Sequence, residues 1–161
     1  MKTLVKAVNS NKISFDFHGV INQRPQLIKS LATLALKHKC AVYIVSGGPC
    51  DYIKNYLQQQ QIPYTKIWCI YDFYEKKDLV KFLPNGEFHI DDELWDKAKG
   101  DYCRRNKISL HIDDSTVYGK YFTTPYAHFD ARHNIMHLPQ QDISLDLDAA
   151  TIFAQIAEFL P

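Results

Sequence analysis

Two acidic motifs carry the chemistry that this chain can be expected to do. Asp16-Phe17-His18-Gly19-Val20 follows the apolar run Ile13-Ser14-Phe15, and Ile112-Asp113-Asp114-Ser115 answers it late in the chain. A carboxylate at the end of a buried strand, followed by a glycine turn, presents an oxygen at the edge of a sheet. A second acidic pair at another strand end completes a site for a hard cation. Such a site suits Mg²⁺, which takes oxygen ligands and leaves room for a substrate phosphate. The expected metal ligands are Asp16, Asp114 and the main-chain carbonyl of His18, with Asp113 bound directly or through water.

Phosphoryl transfer is the reaction that this layout serves. Asp16 is the candidate nucleophile, able to accept a phosphoryl group that water then removes. The reaction depends on positioning and on neutralising charge, so it needs fixed donors around the phosphate. Ser46 and the backbone N–H of Gly47 are expected to cradle its oxygens at a helix N-terminus, in the segment Ser46-Gly47-Gly48-Pro49. A lysine should balance the charge between nucleophile and phosphate. Lys97 is the choice because it lies nearer the start of its helix, and Lys99, Lys76 and Lys77 are the next candidates.

These residues need elements that bring strand ends together. Ile13 to Phe17 reads as a strand, and Arg24-Pro25 opens a helix through His38 with Leu27, Ile28, Leu31, Leu34, Ala35 and Leu36 at helical spacing. Ala41 to Val45 is an unbroken apolar strand, suited to a parallel sheet covered on both faces. A helix from about Cys50 to Gln60 follows, with Pro49 suited to its first turn, and then a strand at Ile67 to Ile70. The stretch 71–90 breaks the alternation. Pro84-Asn85-Gly86 between two apolar pairs reads there as a hairpin turn, in a small insertion close to the site. Asp91-Asp92-Glu93 begins a helix to about Asn106, and Ile108 to Ile112 is the strand that ends in the acidic pair. Tyr121-Phe122-Thr123 reads as a fifth strand and Ala149 to Leu160 as a closing helix. The pattern predicts an α/β fold, a doubly wound parallel sheet of about five strands with helices on both faces. Ligands of such sheets bind at the carboxyl ends of the strands, where all three motifs fall.

Composition narrows the classes. At 161 residues the chain fits one domain, and 46% apolar content marks a folded protein. A formal charge of +1 offers no general attraction to nucleic acid or membrane. Met1 to Lys12 lacks a signal-peptide core, and no apolar run approaches the roughly 20 residues that span a bilayer. Cys40, Cys50, Cys69 and Cys103 form no Cys-x-x-Cys pair, so four buried or half-buried thiols in a reducing, cytoplasmic setting are expected.

Taken together, Phe15 to Val20, Tyr43-Ile44-Val45-Ser46-Gly47, Lys97 and His111 to Ser115 resemble the four motifs of the haloacid dehalogenase superfamily of phosphatases and phosphotransferases. The resemblance covers about Ile13 to Thr123. It implies a small, nearly capless, Mg²⁺-dependent phosphatase acting on a nucleotide, a small metabolite or a macromolecular phosphate. Members usually carry a second aspartate where this chain has His18. Histidine titrates near pH 6.5 and can serve as the same acid and base. The rival expectation is a non-catalytic relative that binds Mg²⁺ and a phosphorylated ligand. A receiver-type phospho-acceptor domain fits less well, because its acidic pair comes early in the chain.

The remaining motifs have plainer readings. His128, His133 and His137 lie near Asp130, but Asn134 to Leu138 reads as strand or loop, which argues against a helical i, i+4 metal pair. Trp68 and Trp95 are expected in core and rim rather than as a base-stacking platform, while Tyr118 and Tyr121 are placed to line a pocket.

Overall fold

In the computed structural model, which describes residues 5–161, the four-residue strand β1 (Lys12–Phe15) lies inside the sheet, and its Ile13, Ser14 and Phe15 are buried. Met1 to Leu4, the start of the segment read as lacking a leader, lie outside the described residues. The chain leaves β1 through the turn at Phe17–Ile21 into α1 (Pro25–Lys37), with proline in the first helical turn. It returns through β2 (Ala41–Ser46), α2 (Cys50–Gln60), β3 (Lys66–Cys69) and the short α3 (Ile70–Glu75). The insertion carries a two-stranded hairpin, β4 (Lys81–Phe82) and β5 (Phe88–His89), turning at Pro84-Asn85-Gly86 as its composition predicts. Then come α4 (Asp92–Arg105), β6 (Leu110–Asp113), β7 (Tyr126–Asp130), β8 (Ile135–His137), β9 (Asp142–Ser144) and α5 (Ala149–Phe159).

The sheet order is β3-β2-β1-β6-β7-β8-β9. The first five strands in that order are parallel, and β8 and β9 add an antiparallel edge. Seven strands stand where about five were expected. The two additions have only three residues each, too short for a strand period to show above loop composition. Tyr121-Phe122-Thr123 is not the fifth strand: Tyr118–Tyr121 forms a helical turn, Phe122 packs on the core beside Val45 and Tyr102, and pairing with β6 begins only at Tyr126.

Alternation along β2 assigns the two layers. Val42 and Ile44 face a core shared with α1, α2 and α5, while Tyr43 and Val45 face one closed by Tyr102 and Cys103 of α4. Helices therefore cover both faces. Asp91 and Asp148 cap α4 and α5, their carboxylates accepting from Glu93 N and Leu94 N at 3.1 and 3.2 Å and from Thr151 N at 2.8 Å.

Between β1 and β6 the chain has wound outward to one side and returned on the other. Such a reversal leaves a crevice at the strand carboxyl ends. Asp16 follows β1 and Asp113 ends β6, so the two acidic motifs meet at this crevice.

Candidate functional site

Asp16 stands at the last hydrogen-bonded position of the first strand, its N–H donating to Ile112 O at 2.9 Å. The turn after it is possible because Gly19 adopts φ +81°. A Cβ there would also lie 2.0 Å from Asp114 Oδ2, so glycine is required for the second acidic motif to approach the first. One carboxylate oxygen from each of Asp16, Asp113 and Asp114 lies within 4.8 Å of the others.

The cation in this cluster is Lys99, and this corrects the choice of Lys97. Lys99 is buried, with its Nζ 3.1 Å from Asp16 Oδ1 and 2.7 Å from Asp113 Oδ2. Lys97 is on the solvent face of α4 and pairs with Glu93 one turn earlier. Helical register is the reason: Lys99 shares its face with Tyr102 and Cys103, at i+3 and i+4, both buried. Lys76 and Lys77 are exposed just beyond the end of α3, where Lys77 rests over the Phe73 ring.

Asp113 is fully occupied by the protein. Its Oδ2 accepts from Lys99 and from His111 Nε2 at 2.9 Å, and its Oδ1 accepts from Ser115 N at 3.0 Å. His111 is itself held from behind, its Nδ1 2.7 Å from Ser14 Oγ, with all three side chains buried. Burial works against the charge of Asp113, but the His111 hydrogen bond and the Lys99 charge outweigh it and hold the carboxyl well below the usual range. Asp16 goes the other way. Burial, helped by the neighbouring Asp113 charge and only partly offset by Lys99, pushes it up from 3.8 to about 6. Burial followed by the Asp113 charge also raises Asp114. Lys99 faces the reverse balance: burial disfavours its charge, but Asp16 and Asp113 more than restore it.

One buried ammonium thus faces three carboxylates. Asp16 Oδ1 is taken by Phe17 N at 2.8 Å and by Lys99, whereas among the described residues no hydrogen bond takes Oδ2. An all-oxygen donor set with a spare oxygen on Asp16, a carboxylate on Asp114 and excess negative charge fits a hard divalent cation. Asp113, already saturated, fits the water-mediated role better than the direct one.

The adjoining pocket has a volume of about 420 Å³, and Asp16, His18, Gly47, Lys99 and Asp114 all contribute to its lining. His18 is exposed in extended backbone, its ring edge-on to Phe17 at 5.0 Å. Ser46 behaves differently from Gly47. It is fully buried and its hydroxyl has no hydrogen-bond partner among the described residues, an exception to the usual satisfaction of buried polar groups.

The expectation of four thiols is also corrected. Cys50 and Cys69 form a disulfide, with Cα atoms 5.7 Å apart, while Cys40 and Cys103 are buried free thiols. Ser46 on β2 pairs with Cys69 on β3, and α2 begins four positions after Ser46, so the sheet register brings together cysteines that are 19 apart in sequence. Gly48, at φ +92°, lies against this bridge: a Cβ there would come 2.8 Å from Cys69 Cβ.

Sequence reasoning gave His111, Ser14 and Trp95 no part in the site. The alternation of β6 carried a usable signal for His111, since it shares a strand face with Asp113. The histidines of 128–137 sit on a β7–β8 hairpin, where His128 and His137 are cross-strand partners with stacked rings 5.6 Å apart and His133 lies in the turn. His128 Nε2 donates to Asp114 O at 3.0 Å, His133 pairs with Asp130 and His137 with Asp142. Among the described residues no group of metal-ligating side chains forms there. No helix of the described residues is long and apolar enough to cross a membrane. No protein-family model matches the chain, and no curated protein or solved structure matches it either.

Proposed function

We propose that the chain is a Mg²⁺-dependent phosphomonoesterase of the haloacid dehalogenase type, acting through an aspartyl-phosphate at Asp16. The observation that carries this reading is the Lys99 ammonium shared between Asp16 and Asp113, with Asp114 beside them at the crevice where the sheet reverses. Structural ion pairs are usually balanced, and here negative charge is left over on the side that faces the pocket. Bound Mg²⁺ supplies charge neutralisation for the phosphoryl oxygens.

The protein's own residues account for the rest. The Asp16 carboxylate attacks phosphorus as the ester oxygen leaves, and His18, at the pocket surface, gives the leaving oxygen a proton. Water then attacks the aspartyl-phosphate, returns a proton to His18 and releases inorganic phosphate. Lys99 keeps Asp16 oriented and offsets charge as it builds, and Asp113, fixed by His111 and Ser115, keeps Lys99 in place. The Gly47 N–H, with the Ser46 hydroxyl next to it in sequence and without a partner among the described residues, supplies donors for the phosphoryl oxygens.

A second reading has one observation in its favour. Among the described residues no side-chain hydrogen bond orients His18, so the acid–base group is not held in place as Asp113 is. On that reading the chain binds Mg²⁺ and a phosphate without turnover.

Phosphate release from 4-nitrophenyl phosphate and nucleoside monophosphates, with and without Mg²⁺, separates the two. Metal-dependent turnover that Asp16→Asn abolishes is the expected result. An inactive wild type that gains activity with His18→Asp supports the binding module instead. Inactivity of both, with Mg²⁺ failing to bind, removes both readings.

A further inference from the structure

Away from its carboxylates the pocket becomes apolar. Trp95, in the first turn of α4, and Tyr118, in the turn after β6, form one wall with Val117 beside them. The indole begins where the phosphate loop ends: a Cβ on Gly47 would lie 3.0 Å from its benzo-ring carbons. Its orientation is set on both sides. The indole N–H donates to Tyr118 Oη at 2.9 Å, and Tyr118 is tied by its own N–H to Ser115 Oγ at 3.2 Å. Behind it the hairpin adds a second layer, with Phe88 6.0 Å from the Trp95 ring and Tyr71 4.9 Å from Phe88. Lys99 Nζ lies 5.1 Å from the Tyr118 ring centroid, so the wall adjoins the charged cluster directly.

The chemistry of this wall is selective. The indole N–H is already spent on the phenol, so Trp95 presents ring surface next to the phosphate loop, with Ser115, Thr116 and Tyr118 in the same lining. A sugar or glycerol phosphate gains nothing from the indole face itself. A planar ring finds fixed aromatic surface whose ordering cost has been met by the fold. The 420 Å³ volume lies within the range of small-molecule sites, about 300–1,000 Å³.

We propose that the Trp95–Tyr118 wall stacks a planar aromatic group carried by the phosphate ester, making the substrate an aryl phosphate or a nucleotide. This inference rests on the phosphomonoesterase reading for the position of the phosphate. It also gives the hairpin a role, since Phe88 of β5 lies against Trp95 and Tyr71 of α3 lies against Phe88.

Binding to wild-type protein with Mg²⁺ tests it, using phosphonates, whose C–P bond this route leaves intact. The probes are phenylphosphonate and the methylene phosphonate analogue of AMP. Methylphosphonate and the corresponding analogue of ribose 5-phosphate serve as ring-free controls. Calorimetry should show at least one ring-bearing probe binding about tenfold or more tightly than its control. Tight phenylphosphonate places the ring directly on the ester oxygen, whereas preference for the AMP analogue alone places it beyond a ribose. Trp95→Ala should erase the preference without weakening the controls, and Trp95→Phe should keep most of it. Equal binding of all four probes, binding of none, or equal weakening of both classes by Trp95→Ala overturns the inference. Phosphate-release assays on aromatic and ring-free esters keep the two ideas apart. Turnover without a ring preference leaves the phosphatase standing and removes the wall. Ring-dependent binding without turnover does the opposite.

Discussion

Lys99 brings one positive charge into a space with three carboxylates, and it is the residue on which the site depends. Removing one partner of a buried ion pair leaves the others uncompensated, typically at a cost of about 3–5 kcal/mol. Lys99→Met should therefore lower the urea midpoint and reduce phosphate release by about 100-fold or more. Lys97→Ala should change neither, because its partner Glu93 is an exposed neighbour on the same helix. A Lys99→Met protein that loses stability but keeps its phosphate release would mean that the cluster is only structural. Asp16 makes a second prediction, about pH. Its carboxyl is raised to about 6 in the folded chain against an ordinary value of 3.8. Between those values the folded state holds a proton that the unfolded state has lost, so the metal-free protein loses stability as pH rises through that window. Mg²⁺ must displace the same proton. Its affinity should rise from pH 5 to pH 7 and level off above, and proton release on binding should be larger at pH 5. Calorimetry in buffers of different ionisation enthalpy measures both. A flat profile would place the cation elsewhere.

Three elements meet beside the Ser46-Gly47-Gly48-Pro49 turn: β2 ends at Ser46, α2 starts at Cys50, and β3 ends at Cys69. The Cys50–Cys69 bridge ties the helix start to the neighbouring strand, and Asp72 of α3 adds a bond, its Oδ2 accepting from Cys50 N at 2.9 Å. For a separation of 19 residues the chain-entropy argument gives about 3 kcal/mol of stabilisation. Reduction, or Cys69→Ser, should lower the melting temperature accordingly, while Cys40→Ser, which leaves the bridge intact, should keep the reductant-dependent shift. A melting temperature indifferent to reductant would mean that the two thiols are not joined in solution. The bridge was hidden at the level of spacing, because only the β2–β3 register makes those two positions neighbours. The helices themselves were legible. The apolar spacing of α1 and the acid-first start of α4 come from local sequence, and their observed bounds, Pro25–Lys37 and Asp92–Arg105, fall close to the expected ones.

Across the molecule as a whole, most of the apolar burial is distinct from the acidic cluster. The largest core lies under α1, α2 and α5, where Phe153 is buried and stacks 5.5 Å from His38. The site sits at the carboxyl end of the sheet, between β1 and β6. Chain ends reinforce the core: Lys6 Nζ donates to Leu160 O at 2.6 Å and Asn11 Nδ2 to Pro161 O at 3.0 Å. Phe153→Ala should then cost about 3–5 kcal/mol in urea unfolding and leave Mg²⁺ affinity unchanged well below the melting temperature. Loss of Mg²⁺ affinity in a folded Phe153→Ala protein would show that the core and the crevice are coupled.

What the sequence by itself determined was local. Apolar runs ending in Asp16, in Ser46-Gly47 and in Asp113-Asp114 were enough to place polar groups at strand ends, and helical runs between those strands implied that the ends share an edge. Strand and helix periods act over a few residues, so they can be read from a few residues. The tertiary structure alone decided which side chains meet across elements. It selected Lys99 over Lys97, joined Cys50 to Cys69, backed Asp113 with His111 and Ser14, and raised Trp95 beside Gly47. Each of those contacts depends on how a helix is rotated against the sheet or which strands are neighbours, and that is settled by packing of the whole core rather than by any short stretch of chain.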